Sequence, residues 1–146
     1  MKFTIASLLL AASSVFAAPA NAKRENSISI SDFRASATTY SSATMHFMVI
    51  DPNYPDDTPT DCNLIWSYGS SPKQSARCNN GQYYIRFPDG AVDFHGFTLE
   101  LERVDGPIAE KGQALLKSGT EWTCVENPED MVLIRCGYTD VLTMNV

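Results

Sequence analysis

The chain has 146 residues, of which 11 are basic and 17 acidic, and its formal net charge is −6. This balance disfavours binding to nucleic acid and insertion at anionic membrane surfaces, because both require clustered Lys and Arg. An acidic protein instead attracts a partner that carries basic charge. The length suits a single domain of ordinary size.

Residues 1–22 have the pattern of a signal peptide. One lysine precedes an apolar run over residues 3–10, and small residues cover residues 17–22. The apolar run is too short to span a bilayer. Cleavage fits after Ala17 or after Ala22, and the second position is favoured. The sequence therefore predicts a secreted, extracellular protein.

A dibasic pair follows these small residues. Lys23 and Arg24 resemble the site of a trimming protease of the secretory pathway, which would leave Glu25 as the first residue. A charged linker is an equally supported interpretation. Without residues 1–24 the chain keeps eight basic and seventeen acidic residues, a formal net charge of −9. We expect residues 25–146 to form one secreted domain.

Four cysteines lie in this expected domain, and an exported protein with four cysteines is expected to contain two disulfides. A zinc site would need two to four residues between paired cysteines, and no such couple occurs. Three connectivities are open, of which the sequence separations favour Cys62 with Cys78 and Cys124 with Cys136. The first bridge is expected to tie down a surface excursion and the second to join central strands. Loss of the second is therefore expected to be the more damaging.

Alternation of apolar and polar residues, with turn signals between the runs, predicts about nine strands. In chain order they cover residues 27–33, 44–49, 62–66, 82–87, 91–94, 97–102, 121–125, 131–136 and 141–146. Residues 35–43 are predicted to form a loop or an irregular strand. Residues 108–118 stay undecided between a short helix and a strand. The predicted fold class is mostly β, a single-domain antiparallel barrel or sandwich.

One segment, residues 51–61, carries four carboxylates and three prolines, which indicates a stiff, exposed loop. It lacks the glycine and the glutamate of an EF-hand calcium loop. A solvated connection is the simpler interpretation, and a partner-binding loop is the functional one. Aromatic residues in turn-rich sequence could anchor the same partner. The candidate partner-binding residues are Asp51, Tyr54, Asp56, Asp57 and Tyr68.

Two pairs of polar residues resemble fragments of catalytic sites. Glu100 and Glu102 share one face of a predicted strand, as glycosidase carboxylates could. Catalytic carboxylates usually come from different strands, however, so a solvated strand face is the favoured interpretation. Asp93 and His95 also share a face, and only His46 could join them as a second histidine, which favours surface residues over a metal site. No G-x-S-x-G motif occurs. We therefore expect a protein that is not an enzyme and that binds no metal or cofactor.

The order of strands and cysteines resembles the Alternaria major allergen family of fungal secreted proteins. The resemblance spans nearly all of residues 25–146. Its marks are the strand Ile28-Ser-Ile-Ser-Asp32-Phe33, the strand Phe47-x-Val49, Cys62, Cys78 shortly before Tyr84-x-Arg-Phe87, and the late cysteines Cys124 and Cys136. Within that family the chain is most similar to the hypersensitive-response-inducing effectors of plant-pathogenic fungi, which elicit cell death.

The resemblance implies a compact β-barrel with the disulfides Cys62–Cys78 and Cys124–Cys136, and it brings no catalytic residues. It also implies a virulence-associated protein of the host apoplast that binds a plant extracellular protein, such as a thaumatin-like defence protein. The founding allergen dimerises through an extra cysteine near its N-terminus, which this chain lacks, so we expect a monomer or a non-covalent dimer. The alternative functions are a secreted cell-wall hydrolase and a carrier of a small apolar ligand.

Overall fold

The computed structural model describes residues 24–146, so the predicted signal peptide at residues 1–22 lies outside the described residues. The described part contains nine strands and no helix that is long and apolar enough to cross a membrane. The strands are β1 (Ser27–Thr38), β2 (Ser42–Ile50), β3 (Thr60–Ser67), β4 (Tyr83–Arg86), β5 (Gly96–Arg103), β6 (Lys111–Lys117), β7 (Trp122–Glu129), β8 (Val132–Tyr138) and β9 (Leu142–Asn145).

The strands form two antiparallel sheets. The larger sheet has the order β3-β2-β1-β8-β7, and β9 also pairs with β1; the smaller sheet has the order β4-β5-β6. Strand β1 is long enough to pair with β9 along its first half and with β8 along its second half. The prediction of an antiparallel barrel or sandwich is confirmed. Within residues 24–146 the sheets do not close into a barrel, so the sandwich describes this fold.

A bulge in β1 explains why the predicted first strand was too short. The register against β2 shifts between Ser31 and Arg34, and Asp32 has a φ of 49°. One extra residue inverts the alternation of buried and exposed side chains. Buried residues therefore lie at even positions before the bulge and at odd positions after it: Ile28, Ile30, Phe33, Ala35 and Ala37. Of the two alternatives for residues 35–43, a loop or an irregular strand, the structure shows strand over most of the segment, because β1 continues to Thr38 and β2 begins at Ser42.

Residues 91–94 do not form the predicted strand. Val92 and Phe94 are buried, as their apolar character indicated. The Asp93 carboxylate, however, accepts a hydrogen bond from the backbone N–H of His95 at 2.9 Å, which bends the chain into a turn. Asp93 thus contacts the backbone of His95, and this bond does not involve the imidazole.

The undecided segment over residues 108–118 forms β6, in which Gly112 faces β9. A Cβ atom at position 112 would collide with the backbone oxygen of Asn145 and lie 2.9 Å from Met144 Cγ. The two sheets therefore approach each other so closely here that only glycine fits. Packing against β9 outweighs the helical propensity of the neighbouring residues.

The core between the sheets is built around Phe33. Its ring centroid lies 5.2 Å from that of Phe47, 4.9 Å from that of Trp122 and 6.3 Å from that of Phe97. Such tilted and edge-on arrangements are favourable for aromatic pairs. The buried indole N–H of Trp122 donates to the carbonyl of Phe94 at 2.7 Å. These contacts join β1 and β2 of the larger sheet to β5 of the smaller one.

Both predicted disulfides are present, and none of the four cysteines is free. Two disulfides in a small β protein are compatible with secretion. Cys62 and Cys78 are buried, and their bond links β3 to the segment before β4. Cys124 is only half-buried and lies directly opposite Cys136 in the β7–β8 ladder. The Cys62–Cys78 bridge spans the expected surface excursion, residues 68–76, which is exposed or half-buried, but the cysteines themselves lie in the core.

Candidate functional site

An open cleft of about 580 Å³ crosses the outer face of the larger sheet. Its floor consists of two rows of side chains, each crossing the sheet from β3 to β7 through directly paired residues. The first row is Asn63, His46, Arg34, Gly137 and Thr123, and the second row is Ile65, Thr44, Ser36, Arg135 and Val125. We call this surface the cleft.

Strand alternation places these side chains on the outer face. Ala35 lies between two cleft residues of β1 and Met45 between two of β2, and both are buried in the core. Because successive side chains in a strand point to opposite faces, their neighbours point to solvent. Gly137 contributes no side chain between Arg34 and Thr123 in the first row, which leaves the floor of the cleft open there.

Large apolar side chains lie at both ends of the second row. Ile65 on β3 is 80 % exposed and Val125 on β7 is 58 % exposed. A single exposed apolar residue is common on protein surfaces. Here two of them border one cleft, with polar side chains between them, which resembles the arrangement of apolar contacts and hydrogen-bonding groups at protein interfaces.

The basic side chains of the cleft lie beside acidic residues at its border. Arg34 Nη1 lies 3.0 Å from Asp32 Oδ1, and His46 Nε2 lies 3.1 Å from Asp32 Oδ2. Arg135 forms a further ion pair with Glu129. Exposed pairs of this kind contribute little to stability, because water screens them and ordering the side chains costs entropy. The guanidinium groups can therefore exchange these acids for groups of a partner.

Uncharged hydrogen-bonding groups fill the remainder of the cleft. Ser36 Oγ lies 3.1 Å from Thr44 Oγ1, and Asn63 Oδ1 lies 2.8 Å from His46 Nδ1. Thr123 adds a third hydroxyl group on β7. Hydroxyls both donate and accept hydrogen bonds. The cleft can therefore bind a ligand that offers donors, acceptors and apolar groups together.

The predicted partner-binding loop is tied into the fold through Asp51 and Tyr54. Asp51 is 1 % exposed, and its carboxylate accepts hydrogen bonds from Asn53 N at 2.9 Å and from Tyr83 Oη at 2.7 Å. Tyr54 Oη donates to the carbonyl of Ile108 at 2.5 Å and accepts from its N–H at 2.9 Å. Both side chains thus hold the loop against the protein.

Asp57 and Asp56 differ in their surroundings. Asp57 Oδ2 accepts from Arg103 Nη2 at 2.5 Å, and the Arg103 guanidinium stacks on the Tyr54 ring at 3.5 Å and donates to Tyr83 Oη at 3.1 Å. Asp56 is exposed to solvent. Of the four candidate residues in this loop, Asp56 is therefore the one that is exposed and makes no side-chain hydrogen bond or ion pair within the described residues.

Glu110 belongs to the same network, although no feature of the sequence marked it. It is 4 % exposed, and its Oε2 atom accepts a hydrogen bond from Asn53 Nδ2 at 3.0 Å. The pKa of Glu110 is raised to about 7, mainly by burial and then by its interaction with the Asp51 carboxylate, whereas the hydrogen bond from Asn53 and the charge of Arg103 act in the opposite direction.

Tyr68 lies at the far end of β3 from the other candidate residues. The eight residues of β3 separate it from the loop that contains Asp57, a distance of about 25 Å along the strand. Its ring packs 5.3 Å from that of Phe94, and burial, followed by the charges of Asp93 and Glu126, raises its pKa. The structure therefore does not bring Tyr68 together with the loop.

Glu100 and Glu102 project from one face of β5, where cations of the neighbouring strands contact both. Arg86 Nη1 lies 4.0 Å from Glu100 and 3.4 Å from Glu102, and Lys111 Nζ lies 3.8 and 3.6 Å from them. Gln113 Nε2 also donates to Glu100 at 2.9 Å. The expectation of a solvated face was wrong for Glu100, which is buried. This arrangement is a cross-strand charge network.

His95 lies between a serine and a glutamate. Its Nδ1 atom is 3.0 Å from Ser118 Oγ and its Nε2 atom 3.1 Å from Glu126 Oε1, an order similar to a serine-hydrolase triad. Such a nucleophile also needs backbone donors for an oxyanion. The N–H groups of Ser118 and Gly119, however, already donate to His95 O at 3.0 Å and Trp122 O at 2.9 Å. The cluster thus fixes the turn between β6 and β7.

No group of three or more His, Cys, Asp or Glu residues within residues 24–146 is arranged to hold a metal ion.

Comparison with protein-family models, curated proteins and solved structures finds no match for this chain. The resemblance to the Alternaria major allergen family therefore stays a prediction from the strand and cysteine pattern.

Proposed function

We propose that this chain is a secreted effector that triggers plant defence or cell death by binding an extracellular plant protein, without catalysing a reaction. The observation that carries the proposal is the cleft, where Ile65 and Val125 expose apolar side chains at the two ends of a polar row. Apolar contacts supply affinity at protein interfaces, and the hydrogen-bonding groups between them supply specificity.

The charge distribution favours a partner protein that is basic overall and that presents an acidic or carbonyl-rich segment to the cleft. The formal charge of −9 over residues 25–146 attracts a basic partner at long range. At contact, Arg34 and Arg135 offer planar, multiply donating groups to carboxylates or carbonyl oxygens. A thaumatin-like defence protein is the candidate that the family resemblance suggests.

Infiltration of purified protein into leaves tests the proposal. The Ile65→Asp variant places a charge in the cleft, and Leu115→Asp is its matched control, because Leu115 is 69 % exposed on β6 of the other sheet. We expect the wild type and Leu115→Asp to cause necrosis and to capture the same protein from apoplastic fluid. Ile65→Asp should do neither, while its thermal unfolding matches that of the control.

Two results would contradict the proposal. Absence of any plant response to the wild type at micromolar dose would remove the elicitor function. Equal necrosis and equal capture by all three proteins would leave the elicitor function standing but would show that the partner binds outside the cleft.

A further inference from the structure

The backbone of Glu25 is held from both sides by the side chain of Asn53. The Glu25 N–H donates to Asn53 Oδ1 at 3.0 Å, and Asn53 Nδ2 donates to the Glu25 carbonyl at 2.8 Å. Asn53 is itself fixed, because its own N–H donates to Asp51 at 2.9 Å. One amide group thus forms a rigid clamp for the chain at the position that follows the dibasic pair.

From Glu25 onward the chain belongs to the fold, whereas Arg24 lies at its border. The carbonyl of Asn26 accepts from the N–H of Val146 at 2.9 Å, and Ser27 begins β1 opposite Asn145. Arg24 is exposed and contacts the carbonyl of Ala109 through its guanidinium at 2.7 Å. A protease that removes residues from the N-terminus therefore meets fixed backbone immediately after Arg24.

The clamp also connects Glu25 to the buried carboxyl pair. Asn53 Nδ2, which binds the Glu25 carbonyl, donates at 3.0 Å to Glu110 Oε2, and Glu110 interacts with Asp51. A positive charge on the Glu25 nitrogen would lie against the Asn53 amide, which also contacts Glu110, while the Asn53 backbone N–H binds Asp51. Such a charge favours the ionised form of Glu110, and we expect it to stabilise the fold.

We propose that the bond between Arg24 and Glu25 is a processing site, and that the α-ammonium group released on Glu25 binds in a preformed site made by Asn53 beside Asp51 and Glu110. A secretory-pathway endopeptidase specific for two basic residues hydrolyses this bond. The water oxygen adds to the Arg24 carbonyl carbon, the C–N bond breaks, and the proton of the new carboxyl group passes to the amine. The products are a carboxylate on the released peptide and an ammonium group on Glu25.

To test the processing site and the ammonium site, the full chain is secreted from two yeast hosts. One host has its dibasic endopeptidase and the other lacks it. We expect intact mass and N-terminal sequencing to find Glu25 as the first residue in the first host and a longer chain in the second. The cleaved form should unfold at a temperature roughly 2–5 °C higher than the uncleaved form. Asn53→Ala should remove this difference, and the control Asn63→Ala, which changes an amide in the cleft, should preserve it.

A first residue before or after Glu25 in the host with the endopeptidase would overturn the processing site. Equal unfolding temperatures of the cleaved and uncleaved wild-type forms, or an unchanged difference in Asn53→Ala, would overturn the ammonium site. Both measurements use secreted, folded protein and do not depend on any response of the plant. A negative result here therefore does not bear on the proposed elicitor function, and the reverse also holds.

Discussion

The carboxyl groups of Asp51 and Glu110 interact inside the fold, although the two residues lie 59 positions apart in the sequence. Tyr83 and Asn53 donate hydrogen bonds to this pair. The Oε1 atom of Glu110 is buried and accepts no hydrogen bond within the described residues. Burial is the main cause of the raised pKa of Glu110, and a proton that lets its side chain donate to Asp51 acts in the same direction.

The stability of the protein should therefore fall as the pH rises from about 4.5 to about 7. The pKa of Glu110 is raised to about 7 in the folded state, mainly by burial, from an ordinary value of 4.5. Between these values the unfolded chain has released its proton while the folded protein still binds one, so each rise in pH favours unfolding. Glu110→Gln keeps a neutral donor beside Asp51. At pH 7.5 the free energy of unfolding of this variant should be about 2–3 kcal/mol higher than that of the wild type.

Denaturant unfolding of both proteins at pH 4.5 and pH 7.5 checks this expectation. The free-energy difference between variant and wild type should be small at the lower pH and large at the higher one. The same difference at both values would show that Glu110 does not titrate in this range.

Tyr83 should be more important for stability than its neighbour Tyr84. The Tyr83 hydroxyl donates to the buried Asp51 carboxylate at 2.7 Å and accepts from Arg103 at 3.1 Å. Tyr83→Phe leaves this carboxylate with one donor fewer, and we expect a loss of about 1–3 kcal/mol in the free energy of unfolding. Tyr84 binds only exposed Arg77 through its hydroxyl, so Tyr84→Phe, the control, should change stability by less than about 0.5 kcal/mol. Equal losses in chemical denaturation would argue against a buried network.

Gly112 should tolerate no side chain, because β9 covers its Cα atom. Gly112→Ala forces the added methyl group against the backbone of Asn145, which should destabilise the fold by about 2–3 kcal/mol. Gly96→Ala is the control, because a Cβ at position 96 meets no heavy atom within 4 Å. Thermal unfolding compares the two. A harmless Gly112→Ala variant would mean that the sheets can separate at this point.

The strands in which apolar and polar residues alternate without interruption could be predicted from the sequence. The prediction failed where a bulge or a glycine interrupts that alternation. Phe47 and Leu99 lie in regular runs, and β2 and β5 follow those runs closely. In β1 the bulge at Asp32 shifts the phase, and alanines at the later buried positions give a weak apolar signal. In β6 the inward residues include Gly112, whose role depends on β9 and cannot be read from its neighbours.

The candidate site was less predictable, because it depends on register. Ile65 and Val125 become parts of one row only when four strand pairings are fixed, and alternation within one strand does not specify its partner. In the acidic loop the composition correctly indicated a turn-rich connection. It did not show that Asp51 turns inward, because burial of a carboxylate depends on donors such as Tyr83 that lie far away in sequence.

The two disulfides should differ in importance, in the order opposite to the sequence-based expectation. They close loops of 16 and 12 residues, so the chain-entropy contributions differ by only about 0.3 kcal/mol. The relative importance of the two disulfides therefore depends on how deeply each is buried and on whether hydrogen bonds already hold the same strands together. Cys62 and Cys78 are buried, whereas the Cys124–Cys136 bond lies within the β7–β8 ladder, whose hydrogen bonds already hold these strands together.

We expect the free energy of unfolding of the Cys62→Ala/Cys78→Ala double variant to fall by more than about 3 kcal/mol. The chain-entropy contribution of the bridge accounts for about 3 kcal/mol, and a cavity in the core adds to the loss. The Cys124→Ala/Cys136→Ala double variant should lose about 3 kcal/mol or less, because the ladder keeps its strands paired. Thermal and denaturant unfolding of both variants, secreted by the same host, give the two values. An equal or larger loss in the second variant would show that the edge strand β7 depends on its covalent bond and that the hydrogen-bonded ladder alone does not hold it.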